Sequence, residues 1–148
     1  GMRELYETGW MHNRVRMVVA SFLVKHLRIH WMEGEKHFKN CLVDYNEASN
    51  VAQWQWVAGC GADAAPYFRI FNPILQGIKF DSEGVYTKKW VPELKNMPKE
   101  FLHKPWELEK KYQEQLKIVI GKDYPSPIVV HEEARAAALE AFQSLKKN

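Results

Sequence analysis

The stretch Asp44–Pro73, DYNEASNVAQWQWVAGCGADAAPYFRIFNP, constrains this chain more than any other part of it. It holds Trp54 and Trp56, Asn46 and Asn50, and the run Tyr67-Phe68-Arg69-Ile70-Phe71. Aromatic side chains carry large apolar areas that favour burial, so a run this dense reads as interior. The Asn, Asp and Arg side chains of the same turns are costly to bury unless each finds a partner. A segment with both properties is expected to line a pocket for a planar, partly polar ligand.

Helices supply the frame around it. Val15, Val18, Val19, Phe22 and Leu23 recur at helical spacing, which predicts a helix from Met11 to about Leu27. Trp31–Val43 is a second, with Trp31, Phe38, Cys41 and Leu42 apolar and Gly34 a weak point. Asn46–Val57 is a third, capped by Asn46, with Asn50 and Trp54 at i+4 and i+8 on one side. Arg3–Thr8 reads as the tail of a helix closed by Gly9, so a missing N-terminal part is expected.

Beyond the small-residue turn Gly59–Ala65, Tyr67–Phe71 is predicted as extended or irregular. Asn72-Pro73 opens a short helix to about Phe80, and Val85–Trp90 forms another that Pro92 stops. Pro92, Pro98 and Pro105 make residues 92–105 an ordered connection. Trp106–Val119 reads as a solvated helix and Pro125–Val130 as an extended arm. His131–Lys147 reads as a terminal helix, with Glu132 and Glu133 in its first turn and Lys146 and Lys147 in its last. No segment alternates like a strand, so the expected class is all-α.

Bulk composition narrows the function. The 148 residues, 46% of them hydrophobic, suffice for one globular domain with a core. A net charge of +3 permits an anionic partner without announcing nucleic acid. Cys41 and Cys60 form neither a disulfide framework nor a zinc pattern, which fits a reducing cytosol. No apolar run approaches the roughly 20 residues of a membrane span. The six histidines assemble no metal set; His26 and His30 are four apart but lack a third partner. There is no dinucleotide fingerprint, P-loop or nucleophile elbow.

Three constellations carry chemistry. Along Asn13-Arg14-Val15-Arg16-Met17, the side chains of Arg16, Asn13, Met17 and Arg14 fan in that order over roughly 160° of helix surface. One guanidinium can then enter a pocket while the other meets an anionic surface; two merely exposed arginines read as well. Asp44, just before the third helix, is placed to pair with a buried Arg such as Arg16, with Asn46, Asn50 and Trp54 facing the same space. The plain alternative is an N-capped helix with one core Trp. Trp56 projects about 200° from Trp54, so the two indoles serve different faces, and Arg69 is a candidate phosphate contact; a simple core plus one exposed Trp is the plain rival.

These same segments, with GWMHNRVRM, WQW, DAAPYFRIFNP, QGIKFD, Trp90–Leu94, Pro105-Trp106 and DYPSPIVVHEEAR, closely resemble the photolyase/cryptochrome family. The likeness is to the C-terminal part of its flavin-binding helical domain, best to the class I cyclobutane-pyrimidine-dimer photolyases, over residues 2–148. It implies FAD as cofactor, dimer-containing DNA as partner and light-driven electron transfer as the reaction. It implies that Asn13 and Met17 face the flipped-out dimer and that Arg14 and Arg69 contact the DNA backbone. Arg16 and Asp44 would pair beside the isoalloxazine ring, Asn50 would face flavin N5, and Asn46 would stand where many relatives have Asp. Trp54 and Trp31 would relay electrons to the flavin, and Trp56 would wall the dimer pocket. Asn50 and Met17 favour dimer repair over plant cryptochromes and (6-4) photolyases respectively. The resemblance also implies that the antenna domain and the first half of the helical domain are missing from this chain. It is then expected to be inactive alone, to bind FAD weakly and to self-associate through exposed half-interfaces. A cryptochrome-like signalling protein, or a decayed remnant, is the alternative.

Overall fold

The computed structural model describes residues 1–65 and 68–145. Among them the chain is helical, with one isolated bridge between Ile120 and Tyr124 and no strand, as the all-α expectation required. It forms two compact units, Gly1–Phe71 with Val129–Asn148, and Asn72–Ile128.

The first unit begins with α1 (Met2–Thr8), which Gly9 closes at φ 70 by donating its N–H to Leu5 O. Helix α2 (Asn13–Ser21) starts later than predicted, because His12 Nδ1 accepts the Arg14 N–H and caps it there. Met11 is left ahead of the helix and is fully buried. The rest of the predicted helix is a wider π-helical turn, Phe22–His26, in which Leu27 N–H reaches Phe22 O. Arg28, at φ 55, then breaks the chain away.

Helix α3 (Trp31–Cys41) ends two residues short of its predicted boundary, where Leu42 turns extended. Helix α4 (Glu47–Ala58) is capped as predicted, Asn46 Oδ1 accepting the Ser49 N–H, and closes at Gly59 with φ 78. Between these helices and α2 lies a core of Leu5, Met11, Ala20, Phe38, Leu42, Trp54 and Val57. Leu5, Met11, Phe38, Leu42 and Val57 each contribute roughly 1.5–3 kcal/mol by leaving water. Trp54 meets Phe38 edge to face at 5.0 Å. Gly34 is the residue on α3 against which the Trp54 indole lies. Its lack of a side chain is therefore a packing requirement; the weakness it brings to the helix is secondary.

Helix α8 (His131–Leu145) packs on the π-helical turn. His26 Nε2 and His131 Nδ1 are 2.8 Å apart, and Phe142 stacks on Phe68 at 4.3 Å. Glu132 and Glu133 occupy its first turn; the predicted contribution of Lys146 and Lys147 lies outside the described residues, as does that of Tyr67.

In the second unit, Asn72 Oδ1 accepts from Ile74 and Leu75 N–H and caps α5 (Pro73–Phe80). Helix α6 (Val85–Trp90) is entered through Gly84, with the Asp81 carboxylate accepting from Tyr86 and Thr87 N–H. The predicted helix Trp106–Val119 is corrected to a single tight turn, Pro105–Glu107, followed by α7 (Lys110–Leu116). Leu108 and Ile118 are drawn into the core of Leu94, Met97 and Leu102, and that pull ends regular helix on both sides. Lys117 makes the exit at φ 53. The seven residues of α7 stay unburied, as a solvated helix should.

Candidate functional site

A cavity of about 260 Å³ lies in the first unit, where α2, α4 and the α3–α4 connection meet. From α2 it takes Asn13, Arg16, Met17 and Ala20, the i, i+3, i+4, i+7 stripe of one face. From α4 and its cap it takes Asn46, Ser49, Asn50, Gln53, Trp54 and Val57, again one stripe. Phe38, Leu42, Asp44 and Tyr45 complete it. Trp54, Phe38, Leu42, Ala20 and Val57 give an apolar surface; the amides, the guanidinium and the carboxylate give a polar one.

Arg16 Nη2 donates to both Asp44 oxygens, at 3.1 and 2.9 Å, while its Nε donates to Met11 O at 2.5 Å. The pair is part exposed, so its net energy is small. What it fixes is direction: the guanidinium is held from two sides at the edge of the cavity. Asn13 Nδ2 lies 4.0 Å from Met17 Sδ across one helical turn.

Asn50 is buried, and its Nδ2 donates to Glu35 Oε1 and Glu35 O, both at 3.1 Å. Both partners are acceptors, so the amide orientation is determined by chemistry. Asn50 Oδ1 is the acceptor left to offer a ligand. Tyr45 OH stands 3.5 Å from the same Glu35 oxygen. Glu35, Tyr45, Ser49 and Gln53 were not singled out from the sequence. Gln53 was legible, being one turn beyond Ser49 and Asn50 on the same stripe. Glu35 was not, because only the packing of α3 on α4 brings it to Asn50.

Four expected site residues lie off this cavity. Arg14 is half-buried on α2 outside the lining. Trp31, at the start of α3, and Trp56, on α4, are partly buried against the core. Trp31 is three residues before Gly34, so it shares a helix face with the seat of Trp54. Arg69 is exposed, its guanidinium 4.7 Å above the Phe71 ring. Trp54 and Trp56 thus differ in environment, one lining the cavity and one not. Among the described residues no three His, Cys, Asp or Glu side chains could hold a metal ion.

The donor set fits an isoalloxazine ring. Apolar side chains offer the faces of a planar ring a dry surface, and the Arg16–Asp44 pair with Asn50 Oδ1 offers its heteroatom edge both donors and an acceptor. The volume is below the roughly 300–1,000 Å³ of complete ligand pockets. It suits the ring of FAD and not the whole dinucleotide.

Comparison with known proteins agrees with this chemistry. Residues 1–144 match the family described as the FAD binding domain of DNA photolyase. Deoxyribodipyrimidine photo-lyase of Agrobacterium fabrum is 56% identical over 147 residues, 99% of this chain and 31% of that protein. The enzyme of the same name from Escherichia coli is 51% identical, over 99% of this chain and 30% of its own. Among solved structures, a bacterial class III photolyase from Agrobacterium tumefaciens superposes with a TM-score of 0.95 at 56% identity. That match covers all of this chain and 31% of the other. A Synechocystis cryptochrome superposes with a TM-score of 0.89 at 43% identity, covering 94% of this chain and 29% of its own. The chain spans about three tenths of the length of the relatives it matches.

Proposed function

Since this chain belongs to the family of the FAD-binding domain of DNA photolyases, we propose that it acts within a light-driven enzyme that repairs cyclobutane pyrimidine dimers in DNA. The observation that carries the reading is the convergence of Asn13, Arg16, Met17, Asp44, Asn46, Asn50 and Trp54 on one cavity. When bound, FAD supplies the photoexcitable electron donor for ring opening. The protein binds, orients and excludes water. Arg16, braced by Asp44 and Met11 O, aligns the polar edge of the ring. Asn50 Oδ1, its amide oriented by the two bonds to Glu35, would accept a hydrogen bond from the flavin N5–H. Trp54 closes an apolar wall and, with Trp31, passes electrons inward from the surface. Asn13 and Met17 face the damaged bases, Trp56 walls their pocket, and Arg14 and Arg69 hold the strand's phosphates.

The class is a finer matter. Met17 and Asn50 support a dimer photolyase, for which class I was the expectation; the relative described as class III, at 56% identity, favours class III. We assign the chain to the C-terminal part of the helical domain, with a remainder needed to hold the rest of FAD. The cytoplasm is its proposed compartment; no helix among the described residues is long and apolar enough to cross a membrane. Met2, Tyr6, Trp10, Met32 and Val43 are exposed apolar side chains on this unit, which supports self-association.

Grafting tests the function. The homologous segment of the Agrobacterium photolyase is replaced by this chain, and dimer-containing oligonucleotide is illuminated with blue light. Repair is expected, whereas the chain alone is expected to bind FAD weakly and repair nothing. A chimera that holds FAD and cuts no dimers overturns the reading. The Synechocystis cryptochrome favours a second, signalling role. That role predicts a chimera with photoreduction and no repair.

A further inference from the structure

The segment that carries Arg69 has no regular secondary structure to hold it, and the described residues 68–71 run irregularly. Two buried side chains hold it instead. Ser21, fully buried at the end of α2, accepts the Phe71 N–H at 3.1 Å. Lys25, 4% exposed on the π-helical turn, donates its ammonium to Arg69 O and lies 4.7 Å from the Phe68 ring centroid. Ser21 and Lys25 are four apart, so they reach the segment from one line along the helix.

Burying an ammonium is expensive, and a methionine would fill similar volume without the charge. Among the described residues, the Lys25 ammonium meets the face of the Phe68 ring and the Arg69 backbone carbonyl. The carbonyl belongs to Arg69, whose exposed side chain lies with its guanidinium 4.7 Å over the Phe71 ring. We propose that Lys25 is a positioning residue that, with Ser21, fixes the backbone of residues 69–71 and so sets the direction in which Arg69 is presented to an anionic ligand. This rests on the reading of Arg69 as a DNA-backbone contact. The buried lysine acts through Arg69 and touches no DNA itself.

Lys25→Met in this chain separates anchoring from bulk stability. Hydrogen exchange at the Phe71 amide is expected to quicken about tenfold, the effect of losing one local restraint. The melting temperature is expected to hold or rise, since a buried charge is removed. Unchanged exchange at Phe71 overturns the proposal. Ser21→Ala gives a second route to the same readout should Lys25→Met fold poorly, and unchanged exchange there counts equally against it. Binding to a duplex carrying a pyrimidine dimer is then measured, in the Agrobacterium photolyase chimera, for Lys25→Met, Arg69→Ala and the double variant. The double variant is expected to bind no worse than Arg69→Ala alone, because both changes remove one contact. Additive losses overturn the positioning role. Where Arg69→Ala leaves binding unchanged, the DNA reading of Arg69 falls, and Phe71 exchange still decides the anchor.

Discussion

The indole of Trp54 rests on the backbone of Gly34. A Cβ built at residue 34 would come within 3.0 Å of three indole ring carbons, Cη2, Cζ3 and Cζ2. Trp54 is 3% exposed and lines the cavity, so this contact between α3 and α4 sets one wall of the candidate site. A glycine that weakens α3 locally is thereby required globally.

Gly34→Ala is expected to destabilise the protein despite the better helix propensity. Alanine recovers about 1 kcal/mol in a helix interior, while overpacking a core costs about 1–3 kcal/mol. The ring cannot swing away freely because Phe38 braces it. Urea unfolding followed by tryptophan fluorescence reads the result. An unshifted midpoint would show the indole is not seated on Gly34.

Arg16→Ala is expected to cost more stability than Asp44→Ala. Removing the guanidinium strips a partner from Met11 O as well as from Asp44, about 1–3 kcal/mol for the orphaned buried acceptor. Removing the carboxylate, itself 48% exposed, leaves Arg16 bonded to Met11 O, a loss within about 1 kcal/mol. Thermal melts of the two variants check the order.

Glu35→Ala is expected to free the Asn50 amide. One of its two acceptors is lost while the bond to the residue 35 carbonyl remains, so the cost is about 1 kcal/mol. The sharper readout is the Asn50 side-chain NH2 in an NMR spectrum, whose two protons should exchange faster with water. Unaltered exchange would mean that the backbone carbonyl suffices.

His26 is held below its ordinary value of 6.5, first by burial and then by the charge of His131 beside it. The unfolded chain therefore binds a proton more readily than the folded one as pH drops below 6.5. Stability from this group is present above 6.5 and is lost as pH falls through the lowered value. His26→Phe should flatten the acid limb of a stability–pH curve; an acid limb of unchanged slope would exclude the His26–His131 pair as its cause.

Lys25 is lowered from 10.5 to about 8 by burial. Between those values the unfolded state carries the extra proton, so stability rises with pH across the window, by about 3 kcal/mol in full. Lys25→Met should remove that rise. Chemical denaturation of both proteins from pH 7.5 to 10.5 provides the comparison.

What could be read without coordinates was local. The Asn46 and Asn72 caps, the Gly9 stop, the Pro92 stop and the stripes of α2 and α4 depend on neighbours within about four residues. The predicted helix through Trp106 failed for the opposite reason: Leu108 and Ile118 answer to a core the periodicity does not reveal. Met11 was likewise assigned to a helix and instead stands outside it, supplying the carbonyl that braces Arg16.

Residue order alone was enough for an all-α chain, the family it resembles, and the side chains of α2 and α4 that share one face. Tertiary structure decided their partners. Asn50 meets Glu35 across 15 residues, Arg16 meets Asp44 across 28, Lys25 meets Arg69 across 44 and His26 meets His131 across 105. Helical spacing says which side chains point the same way, since that follows from the rise and turn of one backbone. Which acceptor a buried donor finds depends on where another helix packs, and a bare Cα at Gly34 helped decide that for α4.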